Sequence, residues 1–412
     1  MHTIVFYIIL SVLAFGFILE RILDYLNSKT WTDELPLELR DVYDADEYKK
    51  SQAYKKANDK FGLLTANFSF IVIVTVLLFS GFAWVDSIAR NLVTNQILIS
   101  LVFFAILFFA SEIINSPFAI YDTFVIEEKF GFNKTTPKTF ILDKLKSWLL
   151  TVIIGGGVLF LIVWFYLQTK EMFWIYTWLA SVAFMIFMMM FYSNLIVPLF
   201  NKQVPLEDGE LRNKIEEFSI LAGFKLKNIY IIDGSKRSTK ANAYFTGLGP
   251  KKRIVLYDTL VNDLSIPEIV AVLAHEVGHY KKKHTLWALL VSILDTGLTL
   301  FILSLFIASP SLSLSLGSQI PSFHLAIIAF GILYSPVSLI IGLGSNSISR
   351  KNEYAADNYA AGFGKADELI SALKKLSKKS LSNLTPHPAY AFFHFSHPTL
   401  LQRIIALKTR AS

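Results

Sequence analysis

The stretch Ser265–Ala308, SIPEIVAVLAHEVGHYKKKHTLWALLVSILDTGLTLFILSLFIA, decides the fold because it joins two different kinds of helix. Its first part begins like a water-facing α-helix: Ser265 can serve as the N-cap, Glu268 follows three residues later, and a proline lies in the first turn. This helix should run through Ile269–Tyr280. The part from Thr285 onward is apolar over roughly 20 residues, the length that crosses a bilayer as a helix. The chain thus places a polar helix directly before a membrane span.

Seven stretches of the chain, including this one, are long and apolar enough to span a membrane. Of the 412 residues, 53% are hydrophobic and 17% are charged, whereas soluble domains carry about a quarter charged residues. Backbone polar groups in lipid must be paired within their own segment, so these stretches should be helices. The first stretch lacks a basic start and a cleavage site and should be retained as a span. The seven are Thr3–Leu19, Ala66–Trp84, Gln96–Ala110, Trp148–Leu167, Trp174–Phe200, Thr285–Ala308 and His324–Leu343.

The distribution of basic residues predicts the orientation of these spans. The odd-numbered loops and the C-terminal tail hold 37 of the 39 Lys and Arg residues. Because basic loops stay in the cytosol, the N-terminus should lie outside and the C-terminus in the cytosol. No basic patch interleaves with stacking aromatic residues, so no nucleic-acid partner is predicted. The chain has no cysteine, which excludes disulfides, thiolate metal sites and a cysteine nucleophile.

Two of the cytosolic regions have the patterns of folded structure. Apolar spacing predicts helices at Leu211–Ala222, Ser347–Gly362 and Lys365–Leu376, and β-branched or aromatic runs predict strands at Asn228–Ile232, Asn242–Thr246 and Arg253–Tyr257. The stretch Asp41–Lys60 should be a solvated helix. The predicted fold is mainly α, with seven transmembrane helices and a cytosolic domain containing a small β-sheet. The chain then divides into residues 1–200 (five spans with their loops), 201–284 (first part of the domain), 285–345 (two spans) and 346–412 (second part).

Five residues of the opening stretch, His275-Glu276-Val277-Gly278-His279, form an HExxH pattern. On a helix, His275 and His279 lie on one face, about 5–6 Å apart at Cβ, so both imidazoles can reach one zinc ion. Glu276 lies about 100° further round the helix and can act as general base toward an attacking water without being a ligand. The alternative is a surface helix with two unrelated histidines. The strong helix-start signals and the span that follows favour the metalloprotease interpretation.

A catalytic zinc keeps three protein ligands, so a third must come from elsewhere in the chain. Glu353 and Asp357 are the best candidates, because their i, i+4 spacing puts both carboxylates on one helix face. One could bind zinc while the other accepts a hydrogen bond from a ligand histidine. Spacing alone favours this arrangement and a solvated acidic face paired with Arg350 equally. His284 is a weaker alternative ligand, since it lies beyond the face of the motif.

The tail and the spans contain further polar residues with two possible interpretations. His397 precedes a proline, is expected to be held extended, and could donate to a developing oxyanion. The plainer interpretation is a packed or solvent-facing histidine, and His387 and His394 are equally plausible from the sequence. Within or beside the spans, four residues should face either a cavity or a hydrogen-bonding partner: Glu112, Asn115, Asp295 and His324.

Four motifs together resemble those of the type I CaaX prenyl endopeptidases. They are HEVGH, SRKNEYAAD at Ser349–Asp357, SHPTLLQRI at Ser396–Ile404 and KANAYFTGLGPKKRIVLYDTL at Lys240–Leu260. Members of this family are seven-span zinc metalloproteases of eukaryotic endoplasmic reticulum and nuclear membranes, with bacterial relatives. The resemblance covers nearly the whole chain, since motif spacing, span number and orientation all agree.

The resemblance implies a role for several residues. It makes Glu353 the third zinc ligand, Asp357 the hydrogen-bond partner of a ligand, and His397 a stabiliser of the transition state. It also implies that Asn242, Ala243 and Tyr244 lie on an edge strand that pairs with the substrate backbone, in the manner of β-augmentation. In this family the spans enclose a water-filled chamber that the zinc site faces.

The resemblance further implies the reaction: one zinc per chain, and removal of the last three residues from prenylated CaaX proteins. The expected partners are a prenylated or membrane-associated protein and the lipid bilayer. The expected location is the endoplasmic reticulum membrane in a eukaryote or the inner membrane in a bacterium. One alternative keeps the chemistry but assigns it to quality control of membrane proteins, and another is a metal-binding transporter or scaffold.

Overall fold

The structure is a computed structural model that describes residues 4–30, 35–223, 228–246 and 253–411. The predicted start of the first span at Thr3 lies outside these residues. The first helices are α1 (Ile4–Ser28), α2 (Ala45–Leu78), α3 (Gly81–Leu92), α4 (Gln96–Tyr121), α5 (Glu128–Phe130), α6 (Pro137–Leu150), α7 (Gly156–Thr169), α8 (Phe173–Leu195) and α9 (Val197–Phe200). The others are α10 (Glu210–Leu221), α11 (Asp258–Asp263), α12 (Ile266–Lys281), α13 (His284–Phe306), α14 (Pro310–Ser315), α15 (Phe323–Ala361), α16 (Ala366–Lys379), α17 (Pro388–His394) and α18 (Leu400–Ala411). The strands are β1 (Gln203–Pro205), β2 (Ile229–Ile232), β3 (Ala243–Thr246) and β4 (Arg253–Tyr257).

Six apolar segments of the described residues could cross a membrane by their length and composition. They are Ile4–Ser28, Ala45–Leu78, Gln96–Phe130, Pro137–Phe200, His284–Phe306 and Phe323–Ala361. The fourth segment is 64 residues long and contains two of the predicted spans. Within it, a 3₁₀ turn at Lys170–Met172 separates α7 from α8, and the two helices pack together with the rings of Tyr166 and Phe173 5.5 Å apart. The prediction of a mainly helical, multi-pass membrane protein is therefore confirmed.

The second predicted span differs from the observed helix at both ends. The prediction of Ala66–Trp84 is wrong at its C-terminal end, because α2 stops at Leu78 and Ser80 takes a left-handed conformation with φ of 54°. Asp41–Lys60 is not a separate solvated helix either, since α2 is continuous from Ala45. The ring of Tyr54 in α2 packs 5.0 Å from those of Phe130 and Phe132. The N-terminal half of α2 is thus part of a packed core.

Helix α15 merges the last predicted span, His324–Leu343, with the predicted helix Ser347–Gly362. It is 39 residues long, which corresponds to about 58 Å at 1.5 Å per residue. Its N-terminal half contributes Leu325 and Ala329 to the hydrophobic core among the spans. Its C-terminal half contributes Ala360 to the separate core that contains α12 and the sheet. One continuous helix therefore connects the core among the spans with the core that contains α12 and the sheet.

The sheet has the strand order β1-β2-β4-β3, so β3 lies at an edge. β2 and β4 are parallel, while β3 pairs antiparallel with β4 and β1 pairs antiparallel with β2. The three predicted strands are confirmed, whereas β1 was not predicted because its three residues are too short to show a pattern. Among the described strands β3 pairs only with β4, so its outer side is an edge at which another strand could be added.

Polar residues among the spans bond mainly to partners on other helices. Glu112 accepts from Lys144 Nζ and Trp148 Nε1, both at 2.7 Å. His324 Nε2 lies 2.7 Å from Asp86 Oδ1. Asn115 bonds within its own helix, to Ser111. These contacts favour the hydrogen-bonding interpretation for Glu112, Asn115 and His324. For Asp295, no hydrogen bond among the described residues favours either interpretation.

Replacing Asp86 with Ala should destabilise the packing of α3 against the start of α15. Asp86 is 3% exposed and bonds both His324 and Arg90, whose Nε lies 3.0 Å from each carboxylate oxygen. Removing one member of a buried charged pair costs about 3–5 kcal/mol, because the remaining charge loses its partner. We expect a lower unfolding temperature of the purified protein in detergent. Ser87→Ala, at the exposed neighbouring position, is the control and should leave it unchanged.

Candidate metal centre

Helix α12 carries the HExxH residues and is held in place at both ends. Its N-terminus has the predicted capping box between Ser265 and Glu268. Near its C-terminus, Gly278 allows α15 to approach, because a Cβ there would lie 3.1 Å from the Cα of Ala356. This close crossing brings the middle of α12 against the part of α15 that carries Glu353.

Three side chains converge between these helices. His279 Nε2 lies 3.1 Å from His275 Nε2 and 3.1 Å from Glu353 Oε1, and His275 Nε2 lies 3.5 Å from Glu353 Oε2. Donor atoms bound tetrahedrally to one zinc ion at about 2.0–2.1 Å would lie about 3.3 Å apart. Glu353 Oε2 is also buried without a hydrogen-bond partner. The donor set and this orphaned oxygen fit a metal ion.

Asp357 and Arg403 lie next to these three side chains, on the side of His275 that is turned away from His279 and Glu353. Asp357 Oδ1 lies 2.9 Å from His275 Nδ1, the ring nitrogen that faces away from the other two side chains. Arg403, on α18, donates two hydrogen bonds to Asp357 at 2.5 and 2.9 Å. Glu353 therefore faces the histidine pair while Asp357 supports one of them, an arrangement that spacing alone left open. Arg403 was missed, although an arginine that follows Leu401 and precedes Ile404 could have indicated a buried acidic partner.

The charges of the site favour binding of a cation. Burial opposes ionisation of Glu353, yet the imidazoles of His275 and His279 hold the pKa of its carboxyl well below the usual range. Burial likewise opposes protonation of His275, yet Asp357 and Glu353 raise its pKa to about 9. The carboxylates of Glu353 and Asp357 therefore face the guanidinium of Arg403 and the imidazole of His275, and a bound cation can take the place of the imidazole proton.

Glu276 lines the same cavity, which has a volume of about 360 Å³. Burial raises the pKa of its carboxyl above the ordinary value. A carboxylate with a raised pKa accepts a proton more readily near neutral pH. Glu276 lies outside the group of three side chains that could hold a metal, as the sequence predicted.

Of the three tail histidines, His397 lies at the site. Its Nε2 is 3.4 Å from Glu353 Oε1, and 62% of its side chain is exposed. Arg350 donates to the carbonyl of Phe395 at 2.7 Å and so anchors the loop before His397, rather than pairing with an acidic face. His387 caps α17 and His394 lies 3.4 Å from Glu20, away from the ligand group.

The edge strand β3 borders the cavity. Asn242 and Ala243 line it together with Phe245, whereas Tyr244 points to the opposite face, with its ring 6.5 Å from that of Tyr257. Ala243 and Phe245 share one face because of the two-residue period of a strand, whereas Asn242 precedes the strand. Of the three predicted substrate-binding residues, Asn242 and Ala243 border the cavity. The backbone of Tyr244 faces Val255 of β4, so Tyr244 does not present its hydrogen-bonding groups at the outer edge.

Glu268 connects α12 to α16 through Lys375 and Ser371, and its replacement by Gln should weaken this connection. Burial opposes ionisation of Glu268, but hydrogen bonds from Lys375, Ser371 and Ser265 lower its pKa to about 2 from an ordinary 4.5. A lowered pKa in the folded state stabilises the protein above pH 4.5, and this stabilisation is lost as the pH falls toward 2. We expect Glu268→Gln to lower the free energy of unfolding by about 1–3 kcal/mol at neutral pH. Solvent keeps the effect in this range, because Lys375 is half exposed.

The measurement is the unfolding temperature of wild type and Glu268→Gln between pH 7 and pH 3. The difference between them should be largest near neutral pH and should shrink below pH 4.5. A difference that stayed constant over this range would show that the charge of Glu268 does not contribute.

Comparisons with known proteins show similarity over nearly the whole chain. Residues 24–202 match the family model described as CAAX prenyl protease N-terminal, five membrane helices, and residues 205–411 match Peptidase family M48. A CAAX prenyl protease 1 homolog of Oryza sativa subsp. japonica is 36% identical over 382 residues, covering 91% of this chain and 90% of the relative. CAAX prenyl protease 1 of Saccharomyces cerevisiae is 35% identical, with coverage of 96% and 93%. The crystal structure of S. mikatae Ste24p has a TM-score of 0.94 at 34% identity and covers 99% of this chain and 100% of that one.

Proposed function

Because the chain belongs to the M48 peptidase family, we propose that it is a zinc endopeptidase that removes the last three residues of prenylated CaaX proteins. It is a multi-pass membrane metalloprotease. The observation that carries the proposal is the convergence of His275, His279 and Glu353, whose ligand atoms lie within 4.8 Å of one another beside the edge strand β3. The names of the relatives support the substrate class.

We assign His275, His279 and Glu353 as the residues that hold the zinc ion. When bound, zinc lowers the pKa of water toward 7 and polarises a carbonyl group. Glu276 takes the proton of the attacking water and later delivers it to the leaving amine. His397 borders the same space and can donate a hydrogen bond to the oxygen on which negative charge develops. Asp357 holds the proton on Nδ1 of His275 and so keeps its Nε2 available for the metal.

The cavity suits an extended peptide with an aliphatic side chain. A substrate strand can pair with the outer edge of β3 beside Asn242 and Ala243, whereas Tyr244 on the same strand directs its backbone toward β4. The apolar wall of the cavity can receive the aliphatic residue that follows the prenylated cysteine in a CaaX sequence. This wall is formed by Leu260, Val272, Leu369, Leu373 and Leu376. A prenyl group is itself a lipid anchor, so a substrate of this kind would arrive from the membrane.

We propose that seven helices cross the membrane, since the 64-residue segment turns back on itself between α7 and α8. Basic loops then place the N-terminus outside and the metalloprotease domain, formed by residues 201–284 and 346–412, in the cytosol. Residues 1–200 and 285–345 supply the spans. The membrane would be the endoplasmic reticulum in a eukaryote and the inner membrane in a bacterium.

The test uses the purified full-length chain, with metal analysis and cleavage of a farnesylated CaaX peptide beside its unprenylated form. We expect about one zinc per chain and a product shortened by three residues, with the farnesylated peptide strongly preferred. Equal cleavage of both peptides would favour quality control of membrane proteins. An active protein free of zinc would refute the mechanism.

A further inference from the structure

His284 faces the nitrogen of His279 that is turned away from the other metal ligands. The two Nδ1 atoms lie 3.0 Å apart, and the rings meet edge to face with centroids separated by 5.0 Å. On the opposite side of the same imidazole, Nε2 of His279 lies 3.1 Å from Glu353 Oε1. His284 is thus not one of the three side chains that could hold the metal, but it contacts Nδ1 of His279, which is one of them.

We propose that His284 is a positioning residue that orients His279 for zinc binding, an inference that rests on the proposed zinc site. An imidazole that binds a metal through Nε2 carries its proton on Nδ1. This N–H requires an acceptor, and Nδ1 of His284 lies at hydrogen-bonding distance. His284 accepts the bond through its lone pair and therefore carries its own proton on Nε2.

The two ligand histidines then have outer partners of different charge. His275 is supported by the carboxylate of Asp357, 2.9 Å from its Nδ1, whereas His279 is supported by a neutral imidazole. A second carboxylate at this position would add negative charge close to Glu353. A neutral acceptor fixes the orientation of the ring of His279 without that repulsion.

The connection between α12 and α13 makes this contact possible. Lys283 has a left-handed backbone with φ of 58°, which separates α12 from α13. His284, the first residue of α13, contacts His279 across this turn. Thr285, the next residue, lines the cavity. Farther along α13, the carbonyl of Ile293 accepts a hydrogen bond from Trp178 of α8 at 2.8 Å. The orientation of a zinc ligand is therefore set by the first turn of a membrane span.

The experiment measures zinc affinity of the full-length protein by competition with a chromophoric chelator. His284→Ala removes the acceptor and should raise the zinc Kd about 10–100-fold, the usual effect of losing an outer partner. His284→Asn places an amide oxygen near the position of Nδ1 and should restore most of the affinity. The visible absorption of the cobalt-substituted Ala variant should shift, because it reports ligand geometry, and the unfolding temperature of the metal-free protein should not change.

His394→Ala, which removes an imidazole outside the site, is the matched control and should bind zinc like wild type. The inference fails if His284→Ala keeps the wild-type zinc Kd and cobalt spectrum. It also fails if the Asn variant loses as much affinity as the Ala variant, or if the metal-free Ala variant unfolds at a lower temperature. His279→Ala separates this outcome from the zinc site itself: wild-type zinc binding in that variant would contradict the proposed function.

Discussion

Glu276→Gln should lower kcat for peptide cleavage by about 10²–10⁴-fold, the usual contribution of a general acid–base residue. The amide has nearly the same shape as the carboxylate but cannot accept the proton of the attacking water. Glu276 lies outside the group of metal ligands, so the zinc content of the variant should equal that of wild type. Cleavage rates at saturating peptide and metal analysis of the same preparation test both expectations.

The matched control is Glu216→Gln on α10, whose carboxylate pairs with Arg212 at the surface. This variant should keep both the wild-type rate and the wild-type zinc content. If Glu276→Gln retained full activity with zinc bound, the proton would have to pass through another group, and the proposed chemistry would be wrong.

Glu353→Ala should abolish activity by removing the metal, because it leaves two ligands where a catalytic zinc requires three. The loss of zinc affinity should exceed the 10–100-fold that is typical for losing an outer partner. The substitution also removes one negative charge near Arg403, whose Nη1 lies 3.6 Å from Glu353 Oε2. Chelator competition measures the affinity, and the unfolding temperature checks that the protein is folded.

Asp357→Asn provides a graded comparison on the same face of α15. An amide oxygen can still accept from Nδ1 of His275, but it loses the charge that pairs with Arg403. We expect intermediate zinc affinity and measurable residual cleavage. If the two variants lost zinc to the same extent, the division between ligand and supporting residue would have to be abandoned.

Much of the site was accessible from local sequence patterns. The four-residue spacing of His275 and His279 puts both imidazoles on one face of any helix. The capping box at Ser265 predicts that a helix begins there. The apolar stretches and basic loops likewise depend on the bilayer alone, which is the same for every membrane protein. For these reasons the HExxH helix and the multi-pass class could be predicted without tertiary contacts.

Long-range partners could not be predicted in this way, because their proximity depends on helix packing. No local sequence pattern shows whether Glu353 or Asp357 faces the two histidines. The answer depends on how α15 crosses α12 at Gly278. Only packing shows that Arg403 is buried against Asp357 and that His284 contacts His279 rather than the metal ligands as a group.

The sequence by itself determined where the apolar segments lie, where the HExxH helix begins, and that two imidazoles share one helix face. The tertiary structure alone decided which carboxylate joins them, how the span of α15 continues into the soluble domain, and which strand lies at the edge of the sheet. The physical reason is that helical periodicity and hydrophobicity act over neighbouring residues, whereas a metal site requires donor atoms from distant segments to meet within a few ångströms.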